Sequence, residues 1–177
     1  MLSYEDVVVS LFRSPDDFRD FQCEKQEYCD FVQRREEALE YYRENLGVTY
    51  VFWSKSDRRP IGFVTLAMGS LRKRDLPVQR KGKKPFRHVP SLLLGHIARD
   101  KRYKGQGAGR IMVDWALSKA NSFADEVGCR FVILDSERDM VQLYKRYDFE
   151  PIPPEAHDRT CLMFFDLGVR ASPGTTT

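Results

Sequence analysis

Asp100-Lys101-Arg102-Tyr103-Lys104-Gly105-Gln106-Gly107-Ala108-Gly109-Arg110 separates two stretches of different hydrophobic period, and its reading decides the fold. Residues 91–99 before it form an apolar run of strand length. After it Ile111, Met112, Trp115, Ala116, Ala120 and Phe123 recur on a helical period until Gly128 ends the pattern. Gly105, Gly107 and Gly109 carry no Cβ, so their backbone N–H groups can turn toward one point and approach a ligand closely. The first turn of the helix adds unpaired N–H donors and about half a positive charge. With Arg102, Lys104 and Arg110 close by, the combination is an anion site suited to a pyrophosphate. No Gly-Lys-Ser/Thr closes the run, and the spacing is GxGxG rather than GxGxxG. A P-loop nucleotide hydrolase and a dinucleotide dehydrogenase are both disfavoured.

Working outward, Ser14-Pro15-Asp16-Asp17 reads as a helix start, with Ser as N-cap and acids at the positive dipole end. From Glu27 the apolar residues Tyr28, Phe31, Val32, Ala38, Leu39, Tyr42 and Leu46 predict one helix, stopped by Gly47. Residues 48–54 and 61–71 are β-rich and joined by a polar turn, which predicts a hairpin. Residues 72–88 carry eight basic groups and one acid, with Pro77, Gly82, Pro85 and then Pro90 opposing regular structure. This basic loop is expected on the side where a second substrate enters. Downstream, 130–135 reads as a strand, 137–147 as a short helix and 161–167 as a last strand. The alternation is that of a mixed α/β crossover unit.

At 177 residues the chain is expected to be one domain over 1–170 with a disordered tail at 171–177. Hydrophobic residues at 42% and charged residues at 31% exclude collagen-like, disulfide-scaffold and wholly disordered classes. No apolar run approaches the roughly 20 residues that span a bilayer, and Met1-Leu2-Ser3-Tyr4-Glu5-Asp6 lacks a signal-peptide pattern, so a cytoplasmic protein without membrane contact is expected. Cys23, Cys29, Cys129 and Cys161 match no metal or disulfide spacing and read as reduced thiols. His88, His96 and His157 are too scattered to argue a metal site, and Trp53, Trp115 and Phe164-Phe165 read as core. The net charge of +3 hides an uneven distribution: residues 1–47 carry 12 acidic and 6 basic groups, against the strongly basic 72–88 segment. Such a segment attracts polyanions or is simply a solvated face.

Arg102-Tyr103-Lys104-Gly105-Gln106-Gly107 resembles the R/Q-x-x-G-x-G/A signature of the GNAT superfamily of N-acetyltransferases. Leu143-Tyr144-Lys145-Arg146-Tyr147-Asp148-Phe149 is similar to that superfamily's F-Y-x-x-x-G-F element. The resemblance implies an α/β (α+β) fold, with a mixed, mostly antiparallel central sheet splayed at the CoA site and flanked by helices. It implies acetyl-CoA as cosubstrate, with no metal. Ile97, Ala98 and Arg99 would line the pantetheine with their backbone, and Arg102, Lys104, Gly105, Gln106, Gly107, Ala108, Gly109 and Arg110 would hold the pyrophosphate. Tyr144 would protonate the departing thiolate.

A closer resemblance, to the GNAT toxins of bacterial toxin–antitoxin modules, is carried by Phe21-Gln22-Cys23-Glu24, by Gly62-Phe63-Val64-Thr65-Leu66-Ala67, and by the stretch from Arg80-Lys81-Gly82 to Gly95. It implies acetylation of the α-amino group of aminoacyl-tRNA and a neutralising antitoxin, and a homodimer is compatible with it; in that setting the charge of the 72–88 loop points to contacts with the RNA. Glu24 departs from the glycine of that opening, and Asp148 from the glycine before Phe149, although Asp tolerates a left-handed backbone. Tyr144, with a reference pKa near 10, holds its proton at pH 7. It reads alternatively as a packing residue of its helix. Backbone N–H groups near residues 97–99 could polarise a thioester carbonyl.

No general base stands out. Asp135 and Glu137 could work through water or serve as a strand-end cap and a helix N-terminal acid. That absence leans toward an α-amine, whose pKa of about 7.7–8.0 needs far less help than a lysine at about 10.4. Two other functions stay open at the level of sequence. One is acetylation of a protein N-terminus, lysine or small amine without a toxin role; the other is a non-catalytic, CoA-responsive module that binds nucleic acid.

Overall fold

The computed structural model describes residues 1–34, 36–82, 85–152 and 159–168. Strands β1 (Val7–Leu11), β2 (Val48–Ser54), β3 (Pro60–Arg72), β4 (His88–Arg99), β5 (Phe131–Glu137), β6 (Glu150–Pro151) and β7 (Thr160–Asp166) form one seven-stranded sheet in the order β1-β2-β3-β4-β5-β7-β6. Every neighbouring pair is antiparallel except β4 with β5. That parallel contact is short: Ser91 pairs with Phe131, Leu92 with Val132 and Leu93 with Ile133, and there it stops. Beyond these pairs β4 runs on to Arg99 beside β3, and β5 to Glu137 beside β7. The sheet therefore opens into a V whose arms keep their outer partners. The splay expected at the cofactor site is present.

Helix α3 (Ala108–Glu126) covers one face, with Ile111, Met112, Ala116 and Ala120 packed on Val64, Leu66, Leu92 and Leu94. Helices α1 (Gln26–Gln33) and α2 (Glu37–Arg43) cover the other, where Phe31, Val32 and Ala38 meet Val51, Phe63 and Ala98. Gly62 on β3 leaves no room for a side chain. A Cβ there would overlap the carbonyl oxygen of Ala98 and lie 2.8 Å from the Met112 sulfur.

The expected helix from Glu27 to Leu46 is two helices. No apolar residue occurs between Val32 and Ala38, which breaks the helical stripe, and Glu36 takes a left-handed backbone. Asn45, rather than Gly47, adopts the left-handed conformation after α2. Pro90 lies within β4 as its third residue and pairs with Ser70, before the pairing with β5 begins at Ser91. The expected helix over 137–147 shortens to α4 (Val141–Lys145), and Glu137 closes β5 instead. Asp148 adopts φ 64°, the conformation its place in the turn before Phe149 requires. The tail at 171–177 and His157 lie outside the described residues.

Candidate active site

The segment after β4 is organised by a carboxylate. Asp100, fully buried, accepts hydrogen bonds from the backbone N–H groups of Gln22 (3.1 Å) and Arg102 (2.9 Å). The Arg102 guanidinium adds a bidentate pair at 2.8 and 2.9 Å. Burial works against the Asp100 charge, but the donors from Arg102 and Gln22 outweigh it and hold the carboxyl below its usual range. Arg102 is thereby removed from the set of free cations assigned to the pyrophosphate. Tyr103 donates its hydroxyl to Asp57, tying the turn to the β2–β3 hairpin.

The chain then passes through Gly105 (φ 76°) and Gly107 (φ 87°) into α3. Both values favour glycine, and no heavy atom stands within 4 Å of where a Cβ of Gly105 would project. Among the described residues, the backbone N–H groups of Gly105, Gly107, Ala108, Gly109 and Arg110 have no acceptor; the first intrahelical bond runs from Ile111 to Gly107. Those donors sit at the positive end of a 19-residue helix, and they fit a pyrophosphate. Gln106 serves the turn itself: its side chain donates to the Arg102 carbonyl at 2.8 Å, and its own carbonyl accepts from Leu2 at 2.9 Å.

The remaining basic side chains are also paired. Lys104 lies 3.2 Å from Glu24 and Arg99 3.5 Å from the same carboxylate. Arg110 lies 2.8 Å from Asp114 and over the ring of Tyr147. Glu24, the residue that departs from the toxin-like pattern, thus holds Lys104, a cation expected at the pyrophosphate, together with the Arg99 side chain.

Along β4 the backbone assignment narrows. Asp100 N–H bonds to the Ile61 carbonyl, and the register pairs Ala98 with Phe63. Polar backbone groups alternate sides along a strand, so Ala98 turns toward β3 while Ile97 and Arg99 present theirs to the open arm of the V. Two of the three residues expected to line pantetheine are available, and Ala98 is not. At the crotch, β4 bulges: Thr65 pairs with His96 and Leu66 with Leu94, leaving Gly95 as the extra residue.

Tyr144 on α4 belongs to the same buried core as Leu92, Leu94 and Leu134, and its ring meets those of Tyr147 and Phe149 edge-on. It is 8% exposed. Burial, reinforced by the neighbouring phenols of Tyr28 and Tyr147, pushes its pKa well above the ordinary value. Asp135 is exposed on β5, and Glu137 forms an ion pair with Lys25.

The basic loop lies at the far end of β4 from the glycine turn. It joins Arg72 to His88, which pair with each other at the closed end of the V. Gly95 lies seven residue steps along β4 from His88, about 23 Å at roughly 3.3 Å per residue. There Arg72, Lys73, Arg74, Lys81, Phe86, Arg87 and His88 line a cavity of about 490 Å³. Lys83 and Lys84 lie outside the described residues.

The profile of the acetyltransferase (GNAT) family matches residues 15–149. This chain belongs to that family. It is an acetyl-CoA-dependent N-acetyltransferase of GNAT fold. It is 29% identical over 143 residues to a tRNA-acetylating toxin of Mycobacterium tuberculosis, covering 79% of this chain and 82% of the relative. It is 30% identical over 119 residues to a protein of Sinorhizobium fredii named probable toxin TacT, covering 62% of this chain and 65% of the relative. Among solved structures, AtaT complexed with acetyl-methionyl-tRNAfMet superposes with a TM-score of 0.79 at 21% identity, covering 91% of this chain and 95% of that one. An AtaT variant bound to the C-terminus of the antitoxin AtaR and acetyl-CoA gives 0.71 at 20% identity, covering 91% and 93%. At these identities the likeness to the solved structures is one of fold. Among the described residues of this GNAT chain, no helix is long and apolar enough to cross a membrane.

Proposed function

We propose that this GNAT acetyltransferase transfers the acetyl group of acetyl-CoA to the α-amino group of an aminoacyl-tRNA; the Mycobacterium tuberculosis relative is named a tRNA-acetylating toxin, and the AtaT structure is a complex with acetyl-methionyl-tRNAfMet. The observation that carries this reading is the separation of the cation-lined cavity from the catalytic crotch. Five cationic side chains stand about 23 Å along β4 from Gly95. A small amine at the crotch does not reach them. A polyanion whose reactive amine sits at the end of a single strand does, with its phosphates on the loop and its amine at the V.

In this reading the N–H groups of Gly105, Gly107, Ala108, Gly109 and Arg110 hold the pyrophosphate, and the outward backbone groups of Ile97 and Arg99 hold the pantetheine. The backbone at the Gly95 bulge faces the thioester carbonyl and polarises it. Tyr144, fully protonated at neutral pH, gives its hydroxyl proton to the departing sulfur. The reaction consumes charged tRNA where translation occurs, which places the protein in the cytoplasm and calls for an antitoxin partner.

Labelled acetyl-CoA offered with charged tRNA, uncharged tRNA, an aminoacylated CCA trinucleotide, peptides and polyamines tests the reading. Label on charged tRNA, with the trinucleotide a poorer acceptor because it cannot span to the loop, is expected. Label confined to peptides or polyamines would sink the tRNA assignment and leave the acetyltransferase standing.

A further inference from the structure

Lys25 and Glu137 meet across the mouth of the V. The segment before α1 is fastened along the end of β4: the Gln22 carbonyl accepts from the Lys101 N–H at 2.7 Å, and Glu24 pairs with Arg99 and Lys104. Within α1, Tyr28 sets its ring edge-on to His96 at 5.8 Å, and Phe31 stacks on the same imidazole at 4.1 Å, one residue past the β4 bulge. Lys25, at the N-cap of α1, therefore belongs to the β4 arm. Glu137 belongs to the other. It is the last residue of β5, paired with Thr160 of β7 and four residues beyond Ile133, where the contact with β4 ends. Their ion pair is a bridge from arm to arm.

The bridge stands beside Tyr144, the acid of the proposed reaction. The Glu137 carbonyl accepts from the Met140 N–H at 3.0 Å, and the Met140 carbonyl from the Tyr144 N–H at 3.2 Å, so consecutive hydrogen-bonded turns join the two residues. Both partners of the bridge keep about a third of their side chains in water, 35% for Lys25 and 32% for Glu137. A cation arriving from solvent reaches that carboxylate without opening the core. An ion pair so exposed is weakly held and exchanges its cation at little cost.

The chemistry of the acceptor fits such an exchange. An α-amine with a pKa of about 7.7–8.0, or a lysine at about 10.4, is mostly ammonium at pH 7. The ester of an aminoacyl acceptor lowers that value but leaves a large ammonium fraction. Lys25 presents the same group, a primary ammonium on a flexible stem, to Glu137. After transfer the acceptor nitrogen is an amide, which carries no charge and forms no ion pair.

We propose that Glu137 is the site that receives the acceptor's ammonium, and that Lys25 is its internal occupant, displaced when the amine binds and restored when the amide leaves. Such a site serves any primary amine, so it rests on the acetyltransferase assignment rather than on the tRNA reading. The exchange distinguishes substrate from product, since only the substrate brings a cation that displaces Lys25.

Steady-state kinetics at saturating acetyl-CoA test the exchange, on whichever acceptor of the panel above the wild type labels, with the acetylated product as a competing inhibitor. Failure of the tRNA reading shows in that panel before any variant is made. Glu137→Gln keeps the size of the side chain and removes its charge. It is expected to raise KM for the amine by about fivefold or more, with kcat the lesser effect, because the lost contact is one of binding. The inhibition constant of the acetylated product should stay within about twofold in the same variant, since that ligand has no ammonium to lose. Lys25→Met keeps the apolar stem and removes the competing ammonium, and is expected to lower KM for the amine by about two- to fourfold. Opposite signs are the signature, because a bridge that merely braced the two arms is broken alike from either side. Shifts of KM in the same direction for both variants would overturn the proposal, as would a product constant that rises in step with KM. An acceptor KM that either variant leaves unmoved would overturn it as well.

Discussion

The glycine cradle and the basic loop are both rich in cations and use them in opposite ways. In the cradle, Arg99, Arg102, Lys104 and Arg110 are each held by a carboxylate of the chain, and the free donors are backbone N–H groups. In the loop, eight basic residues meet one acid in sequence. Asp75 pairs with Arg72 and Arg74, and Arg80 reaches Glu150 and Asp166. Lys81 and Arg87 have no carboxylate partner among the described residues and line the cavity. Under the proposed function, one region recognises a fixed shape through fixed dipoles, and the other offers charge to a partner that brings many phosphates. The first then suits a small cosubstrate of constant geometry, the second a polyanion whose binding releases counterions.

That contrast is easiest to break at the chemistry the two regions serve. Tyr144→Phe removes the acid while keeping the buried ring, and kcat is expected to fall by about 100-fold or more with acetyl-CoA affinity unchanged, read by steady-state kinetics and calorimetry. If calorimetry instead showed acetyl-CoA binding lost, Tyr144 would be a packing or binding residue. The combined change Arg74→Ala, Lys81→Ala and Arg87→Ala removes loop charge at the far end of β4. It should raise KM for charged tRNA by about tenfold or more and leave KM for acetyl-CoA within about twofold. Equal effects on both substrates would abolish the division of labour.

Gly107→Ala forces a Cβ onto a backbone at φ 87° and costs about 1–2 kcal/mol there. Acetyl-CoA binding should weaken about tenfold as the N–H groups lose their common aim, while tRNA affinity measured by filter binding stays put. Glu24→Ala is the smallest expected change: it frees Lys104 and Arg99, and since exposed ion pairs are worth about 0–1 kcal/mol, acetyl-CoA affinity should rise by only about two- to threefold. A loss of affinity on that change would mean that Glu24 supports the cradle rather than competing with it.

Much of this was legible in the sequence because it is local. The strand, the alternating glycines and the helix of 108–126 are contiguous, and the short glycine spacing itself dictates where donors converge. The splay followed from the family resemblance and is visible in the register that ends at Leu93. The rest depends on partners far apart in the chain. Asp100 could be read as a cap before a turn, but its bond from Gln22, which fastens the turn to the segment before α1, spans 78 residues. Arg102 looked like a phosphate ligand because its carboxylate partner two residues away gives no periodic signal. The aromatic contacts around His96 join β4, α1 and α2, and no spacing within one element announces them. The loop's distance from the glycine turn was not legible either: the loop directly precedes the cofactor strand in sequence, but a twelve-residue strand carries its two ends far apart.

The division between backbone and charge is tested most directly by salt. Initial rates measured across a potassium chloride series, at saturating acetyl-CoA for the tRNA dependence and the reverse for the cosubstrate, give two slopes. The account predicts that log kcat/KM for charged tRNA falls steeply with log salt, that the loop variant flattens this slope by about one to three, and that the acetyl-CoA slope does not respond to the loop variant. A tRNA slope that the loop variant leaves unchanged would contradict it.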